Sequence, residues 1–241
     1  MTWIGTSGWS YDHWSGVLYP PRTPPGRRLD LYVREFNTVE LNASHYRWPR
    51  TTTFAGWRAR LPSGFRMSVK APRGLTHARK LDSPEIWIER IAASWRELDD
   101  HRGVFLVQLP PTMERDDERL DRFLSQMPKE IDVAVEMRHP SWHDDEVFDL
   151  LCRHGAAYCV MSGPGLPRVL RTTSPLVYLR LHGPSDERLY AGSYSDEELA
   201  WWAARIEEWE RAGKEVYAYF NNDLGGHAVR NVRHLRELLR T

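Results

Sequence analysis

The chain has 241 residues, of which 41% are hydrophobic and 27% charged, with a formal net charge of zero. That is long enough to bury a sizeable core and ordinary for a globular domain, so neither a disordered nor a fibrous chain is expected. A balanced charge gives no global steering toward nucleic acid or a membrane, and any basic footprint must be local. No stretch approaches the ~20 consecutive apolar residues of a membrane span.

Taken in chain order, eight apolar stretches each run into polar, glycine- or proline-marked residues. They are Trp3–Thr6, Thr38–Asn42, Met67–Lys70, Val104–Gln108, Val133–Arg138, Ala157–Ser162, Val177–His182 and Val216–Asn221. Helical pattern separates most of them, which predicts one α/β domain over residues 1–241, a (β/α)8 TIM-type barrel. The long first loop, Gly8 to Gly26, ends in a proline-rich stretch, and a helix near Arg28–Phe36 follows with Leu29, Tyr32, Val33 and Phe36 on one face. Pro84–Leu98 is the clearest helix, with Ser83 expected as N-cap and Ile88, Ile91, Trp95 and Leu98 as its stripe. Helices are also expected over Asp117–Met127, His143–His154 with Gly155 as stop, Ser195–Ala212 with Ser195 as cap and Gly213 as stop, and Ala228–Leu239. Trp95, Trp202 and Trp209 are read as core. The segment GPGLPRVLRTTSP, between the sixth and seventh stretches, is too short and proline-marked for a full crossover helix, so the sixth crossover is expected to be irregular or shortened.

Side chains alternate along a strand, so each stretch offers one row to the barrel interior and one to the helices. Five stretches split the same way. The interior rows are Glu40 with Asn42, Ser68 with Lys70, Ala134 with Glu136 and Arg138, Tyr178 with Arg180 and His182, and Tyr217 with Tyr219, Asn221 and Asp223. Gln108 ends the fourth stretch. Barrel chemistry sits at the C-terminal ends of strands, where these polar groups gather. Lys70, Arg138 and Arg180 against Glu40 and Glu136 suit a bound phosphate or carboxylate. Gly225 and Gly226, just before the last helix, suit backbone contact with the same anion. The competing reading is a salt-bridged network, for example Glu136 with Arg138 or Arg180, that only holds the barrel together.

The leading expectation is therefore an enzyme acting on a small anionic ligand, with the reaction class (hydrolase, lyase or isomerase) unassigned. Glu136 or Glu40 would serve as general base, His182 as proton shuttle, and Lys70 as cation or Schiff-base former. Asn42, Gln108, Arg138, Arg180, Tyr219, Asn221, Asp223, Gly225, Gly226, Trp9, Tyr46 and His77 would line the site. A Glu40/Glu136 glycosidase pair is disfavoured, because sequence does not give the separation of the carboxylates. The chain has no GxSxG elbow, Walker loop, GxGxxG, HExxH or HxE…PCxxC motif. No cofactor is identified. A metal held by His45, His77, Glu136, His182 or Asp223 is disfavoured, since their spacing carries no ligand signature and the neighbouring cations repel a divalent ion.

A second function class comes from the front loops. Trp9, Tyr11, His13 and Trp14 follow the first stretch, His45, Tyr46, Arg47, Trp48 and Arg50 the second, and Arg73, His77, Arg79 and Lys80 the third. Aromatics interleaved with basic groups can stack bases and contact phosphates, which makes nucleic acid the alternative partner; equally, Trp9, Tyr46 and Trp48 can simply plug the barrel mouth. A non-catalytic metabolite sensor using the same pocket is the third reading. Cys152 and Cys159 form no CxxC motif, and the N-terminus enters a strand without a basic or apolar leader, so a reduced, cytoplasmic setting is expected. Sequence leaves the oligomeric state open.

Seven ordered motifs resemble the YecE-like family, domain of unknown function 72. They are IGTSGWSYDHW (Ile4–Trp14), FNTVELNASHYRWP (Phe36–Pro49), SVKAPRGLTH (Ser68–His77), FLVQLPP (Phe105–Pro111), VAVEMRHPSW (Val133–Trp142), VYLRLHG (Val177–Gly183) and YFNNDLGGHAVRN (Tyr219–Asn231). The resemblance implies a TIM-type barrel related in shape to endonuclease IV and xylose-isomerase-like enzymes, and no established activity. Endonuclease-IV-like barrels hold zinc ions on His, Asp and Glu; this chain offers arginine and lysine at comparable strand ends, which weakens a transfer of that mechanism.

Overall fold

Eight parallel strands close on themselves in chain order in the computed structural model, which describes residues 1–184 and 188–240. The strands are β1 (Thr2–Ser7), β2 (Thr38–Leu41), β3 (Arg66–Lys70), β4 (Arg102–Gln108), β5 (Val133–Glu136), β6 (Ala157–Ser162), β7 (Leu176–Leu181) and β8 (Glu215–Phe220). The helices are α1 (Pro25–Glu35), α2 (Thr51–Arg58), α3 (Glu85–Leu98), α4 (Asp117–Gln126), α5 (Asp145–Arg153), α6 (Asp196–Arg211) and α7 (His227–Leu238). The predicted (β/α)8 architecture is the observed one, including a sixth crossover without a helix between Ser162 and Leu176. No helix among the described residues is long and apolar enough to cross a membrane.

Contacts cluster into two compact units. One comprises Met1–Glu40, Val160–Val169 and the chain from Leu176 onward; the other comprises Leu41–Cys159 and Leu170–Pro175. In the first unit, β7 pairs with β8 over Leu176↔Glu215 to Leu181↔Phe220, and β8 with β1 over Thr2↔Val216 to Thr6↔Phe220. In the second, Lys70 pairs with Leu106, and β4 continues onto β5 from Phe105↔Val133 to Gln108↔Glu136. Laterally paired residues point to the same side of a parallel sheet. Phe105 meets Trp95 of α3 edge-on, so its row faces the helices. Leu106 and Gln108 therefore face the interior together with Lys70, Ala134 and Glu136.

Local sequence explains most element ends. Ser195 caps α6 in a full capping box with Glu198, as expected of Ser followed three residues on by Glu. Trp95 and Trp202 are almost wholly buried and Trp209 nearly so, which places all three in the core. Three sequence expectations need correction. Ser83 does not cap α3; Pro84 occupies the N-cap position, no side chain caps the helix, and Ser83 lies at φ +45°. The proline run is not wholly loop, because Pro25 opens α1, where a missing N–H costs nothing. The strands also stop one or two residues short of Asn42, Arg138, His182 and Asn221. Those side chains stand just beyond the strand ends.

Candidate functional site

In the first unit the strand ends build a saturated carboxylate. Glu40 is fully buried on β2. Its Oε1 accepts from Ser7 Oγ at 2.5 Å and Arg180 Nη2 at 2.8 Å. Its Oε2 accepts from Tyr178 OH at 2.7 Å and Arg180 Nε at 2.9 Å. A carboxylate offers about four acceptor sites, so four donors leave no lone pair for a substrate proton. Arg180, also fully buried, spends two of its donors on this pair. Burial first, and the Glu40 charge next, push the Tyr178 hydroxyl well above its ordinary pKa, which keeps it protonated as a donor. Tyr219 lies beside Tyr178 at 5.3 Å between ring centres, and its hydroxyl is 2.7 Å from Thr38 Oγ1.

The loops after β7 and β8 are tied down by their own bonds. The Asn221 amide donates to His182 Nδ1 at 3.2 Å, which leaves the ring proton on Nε2. The Asp223 carbonyl accepts from Trp14 Nε1 at 3.0 Å and His13 Nε2 at 2.8 Å. Burial raises the Asp223 carboxyl pKa. Gly225 and Gly226 both lie at positive φ, +64° and +75°. Three amides at this turn close it on itself. Gly226 N–H donates to Asp223 O at 3.0 Å, His227 N–H to Leu224 O, and Ala228 N–H to Asn222 O at 3.0 Å. A Cβ on Gly226 would stand 2.9 Å from Val17 Cγ1, so glycine here serves close packing as well as the turn. Trp9 is buried, and its carbonyl accepts from Tyr19 OH.

In the second unit the strand ends gather cations and neutral imidazoles. Asn42 leads into a tight helical turn, Ala43–His45, that is fastened to the end of β3. Ser44 Oγ donates to Lys70 O at 2.6 Å, and His45 Nδ1 donates to Ala71 O at 2.9 Å. That bond leaves Nε2 as the acceptor nitrogen of His45. A five-residue π-helical turn, Gly74–Ala78, brings His77 edge-on to His45, with ring centres 4.9 Å apart. Burial pushes His45 down to about 4, helped by Lys70 and, to a lesser degree, His77 and Arg73. Burial also lowers His77, with Lys70, Arg73 and Arg138 adding to it. Both rings are neutral at pH 7. On β5, Glu136 is fully buried and accepts from Arg138 Nε at 2.6 Å, with Cys159 Sγ 4.0 Å from its other oxygen. Two amide oxygens at these strand ends, Gln108 Oε1 and Asn42 Oδ1, are buried without a hydrogen-bond partner among the described residues.

The candidate residues thus fall into two groups. Glu40, Arg180, Tyr219, His182, Asn221, Asp223, Gly225, Gly226 and Trp9 belong to the first unit, and Lys70, Glu136, Arg138, Gln108, Asn42, His77 and Tyr46 to the second. The front-loop aromatics differ in kind. Tyr46 is 72% exposed, whereas Trp48 donates to Ser94 Oγ at 3.2 Å and packs on Phe54 and Phe105, which gives it a structural task. Arg73, placed by sequence only among the loop residues, and His45, read there also as a disfavoured metal ligand, join the Lys70 group. Their positions just past the ends of β2 and β3 were the available signal. No group of three or more His, Cys, Asp and Glu that could hold a metal occurs among the described residues.

A family model described as "Protein of unknown function DUF72" matches residues 3–241. The chain is 28% identical to the UPF0759 protein YunF of Bacillus subtilis, across 99% of this chain and 95% of that one. The crystal structure of a DUF72 family protein from Thermotoga maritima superposes over the whole of both chains with TM-score 0.87 at 30% identity. A D-psicose 3-epimerase from Clostridium cellulolyticum superposes with TM-score 0.51 at 12% identity, a likeness of barrel fold alone.

Proposed function

This chain belongs to the DUF72 family of unknown function, and on that premise we propose that it is a barrel enzyme whose Lys70 group binds a small anionic ligand bearing phosphate or carboxylate. One observation carries the reading. Lys70 and Arg73 act on both His45 and His77, and Arg138 acts on His77, so that two imidazoles stay neutral in the company of three cations. With Glu136 as counter-charge, the named side chains still sum to a positive charge at pH 7, which suits an anion at the C-terminal ends of barrel strands. Arg138 and Lys70 would hold it, one as a fork and one as a point charge. Glu136 is the acid–base group of this reading. It is buried, its Oε1 is oriented by Arg138, and Glu40 has every acceptor site occupied. Neutral His45, with Nδ1 committed to Ala71 O, presents Nε2 as an acceptor. The chemistry supported is proton transfer beside a bound anion.

A thermal-shift panel of inorganic phosphate, phosphorylated metabolites, carboxylates, nucleotides and short oligonucleotides tests the reading on wild type and Lys70→Met. A ligand at a hundred times its Kd stabilises by about 2.7 kcal/mol, which is roughly 5–10 °C in a chain of this size. A shift in wild type that Lys70→Met abolishes is the expected outcome. A panel that leaves wild type unmoved, or a shift that survives in Lys70→Met, overturns it. Oligonucleotides as the sole hits would favour a nucleic-acid partner instead.

A further inference from the structure

We infer that the anion taken by the Lys70 group carries a hydroxyl beside its charge, as a sugar phosphate or a hydroxy acid does, and that the Gln108 carboxamide oxygen accepts that hydroxyl. This rests on the anion-binding reading above and narrows it. Gln108 is the last residue of β4 and pairs in register with Glu136, while Lys70 pairs with Leu106 two residues earlier on the same row. Its side chain therefore emerges on the face that carries Lys70 and Glu136. Gln108 is only 5% exposed, yet its Oε1 has no hydrogen-bond partner among the described residues. Asn42 Oδ1, at the start of the turn fastened to the end of β3, is in the same position. By contrast, the equally unpartnered Tyr158 hydroxyl sits on the other face, since Tyr158 pairs with Val135 and packs on Phe148 of α5.

A buried acceptor needs a donor. A carboxylate, or a phosphate monoester in the dianionic form that prevails above its second pKa of about 6, supplies none, because it only accepts. An ammonium group on the ligand would donate, but Lys70, Arg73 and Arg138 repel it. A neutral hydroxyl meets both conditions: it donates to Gln108 or Asn42 and adds no charge. An analogue without the hydroxyl leaves the carboxamide unpaired, a loss of about tenfold to a hundredfold in affinity.

Calorimetric titration with matched pairs tests this. Glycerol 3-phosphate is compared with n-propyl phosphate, and glycerate with propionate, on wild type, Lys70→Met, Gln108→Leu and Asn42→Ala. Wild type is expected to bind one hydroxylated member at least tenfold more tightly than its partner, and the winning pair tells phosphate from carboxylate. Gln108→Leu is expected to keep the alkyl anion within about threefold and to lose the preference, and Lys70→Met to lose both members. Equal binding of a pair by wild type, abolished in Lys70→Met, refutes the hydroxyl inference and leaves the anion reading standing. No binding of any probe, or binding unchanged in Lys70→Met, refutes the anion reading and this inference with it. A preference that survives in Gln108→Leu and disappears in Asn42→Ala moves the acceptor role to Asn42 and overturns the assignment to Gln108. Should Gln108→Leu fail to fold, the wild-type comparison of each pair still decides the hydroxyl, and loss of the preference in Asn42→Ala still overturns the assignment to Gln108.

Discussion

Replacing Arg180 with methionine removes two of the four donors on Glu40 and its only charged partner among them, while Ser7 and Tyr178 remain. Both members of the pair are fully buried. Stranding one charge of such a pair costs about 3–5 kcal/mol, because the survivor stays desolvated without its counter-charge. With a urea m-value of about 2–3 kcal/mol/M, the midpoint is expected to fall by roughly 1–2 M in Arg180→Met, and by a similar amount in Glu40→Met. The double variant Glu40→Met/Arg180→Met puts apolar bulk in place of both charges. It is expected to lose much less than the two single variants together. Urea unfolding followed by tryptophan emission and by circular dichroism measures all four proteins. A loss below about 1 kcal/mol in Arg180→Met, or losses that simply add in the double variant, would refute the claim that Glu40 and Arg180 act as one clamp.

Stability should rise with pH between about 4 and 6.5, because His45 is held at about 4 in the folded chain against about 6.5 unfolded. In that window the unfolded chain binds a proton that the native one refuses, so stability is full above the window and lost as pH falls through it, by no more than about 3 kcal/mol. His45→Gln should flatten this part of the profile in urea midpoints taken at pH 4.5 and 7; an unchanged slope would contradict the assignment. Gly226→Ala should cost about 1–3 kcal/mol, since φ is +75° and the new Cβ would meet Val17 Cγ1 at 2.9 Å. Thermal melts would show a drop of several degrees, while binding of any ligand found for the Lys70 group should be unchanged. Ser195→Ala removes the acceptor for Glu198 N–H and should cost about 1 kcal/mol by the same melts; no measurable change would argue that the capping box adds nothing.

Strand periodicity told which way side chains point, and this was enough to place Glu40, Lys70, Glu136 and Arg180 at the polar end of a closed barrel. It could not tell which of them pair. Glu40 and Arg180 are 140 residues apart, and nothing local in either segment distinguishes a clamp from a free binding group. Gly225-Gly226 carried the composition of an anion-binding loop, but composition does not reveal that the amides of Gly226, His227 and Ala228 turn back onto Asp223, Leu224 and Asn222. Helix α2 had no clear signature, since three threonines open it and Gly56 interrupts it; the fully buried Phe54 anchors it. The turn Gly74–Ala78 is too short to show a period, yet it sets His77 against His45.

The location of the anion is the claim on which the functional account stands, and anomalous scattering reads it directly. Crystals soaked in tungstate, a phosphate mimic, should show a peak within hydrogen-bond reach of Lys70 and Arg138, and that peak should vanish in Lys70→Met. Ordered tungstate found only elsewhere, for instance at the Gly225–His227 turn, would contradict the account.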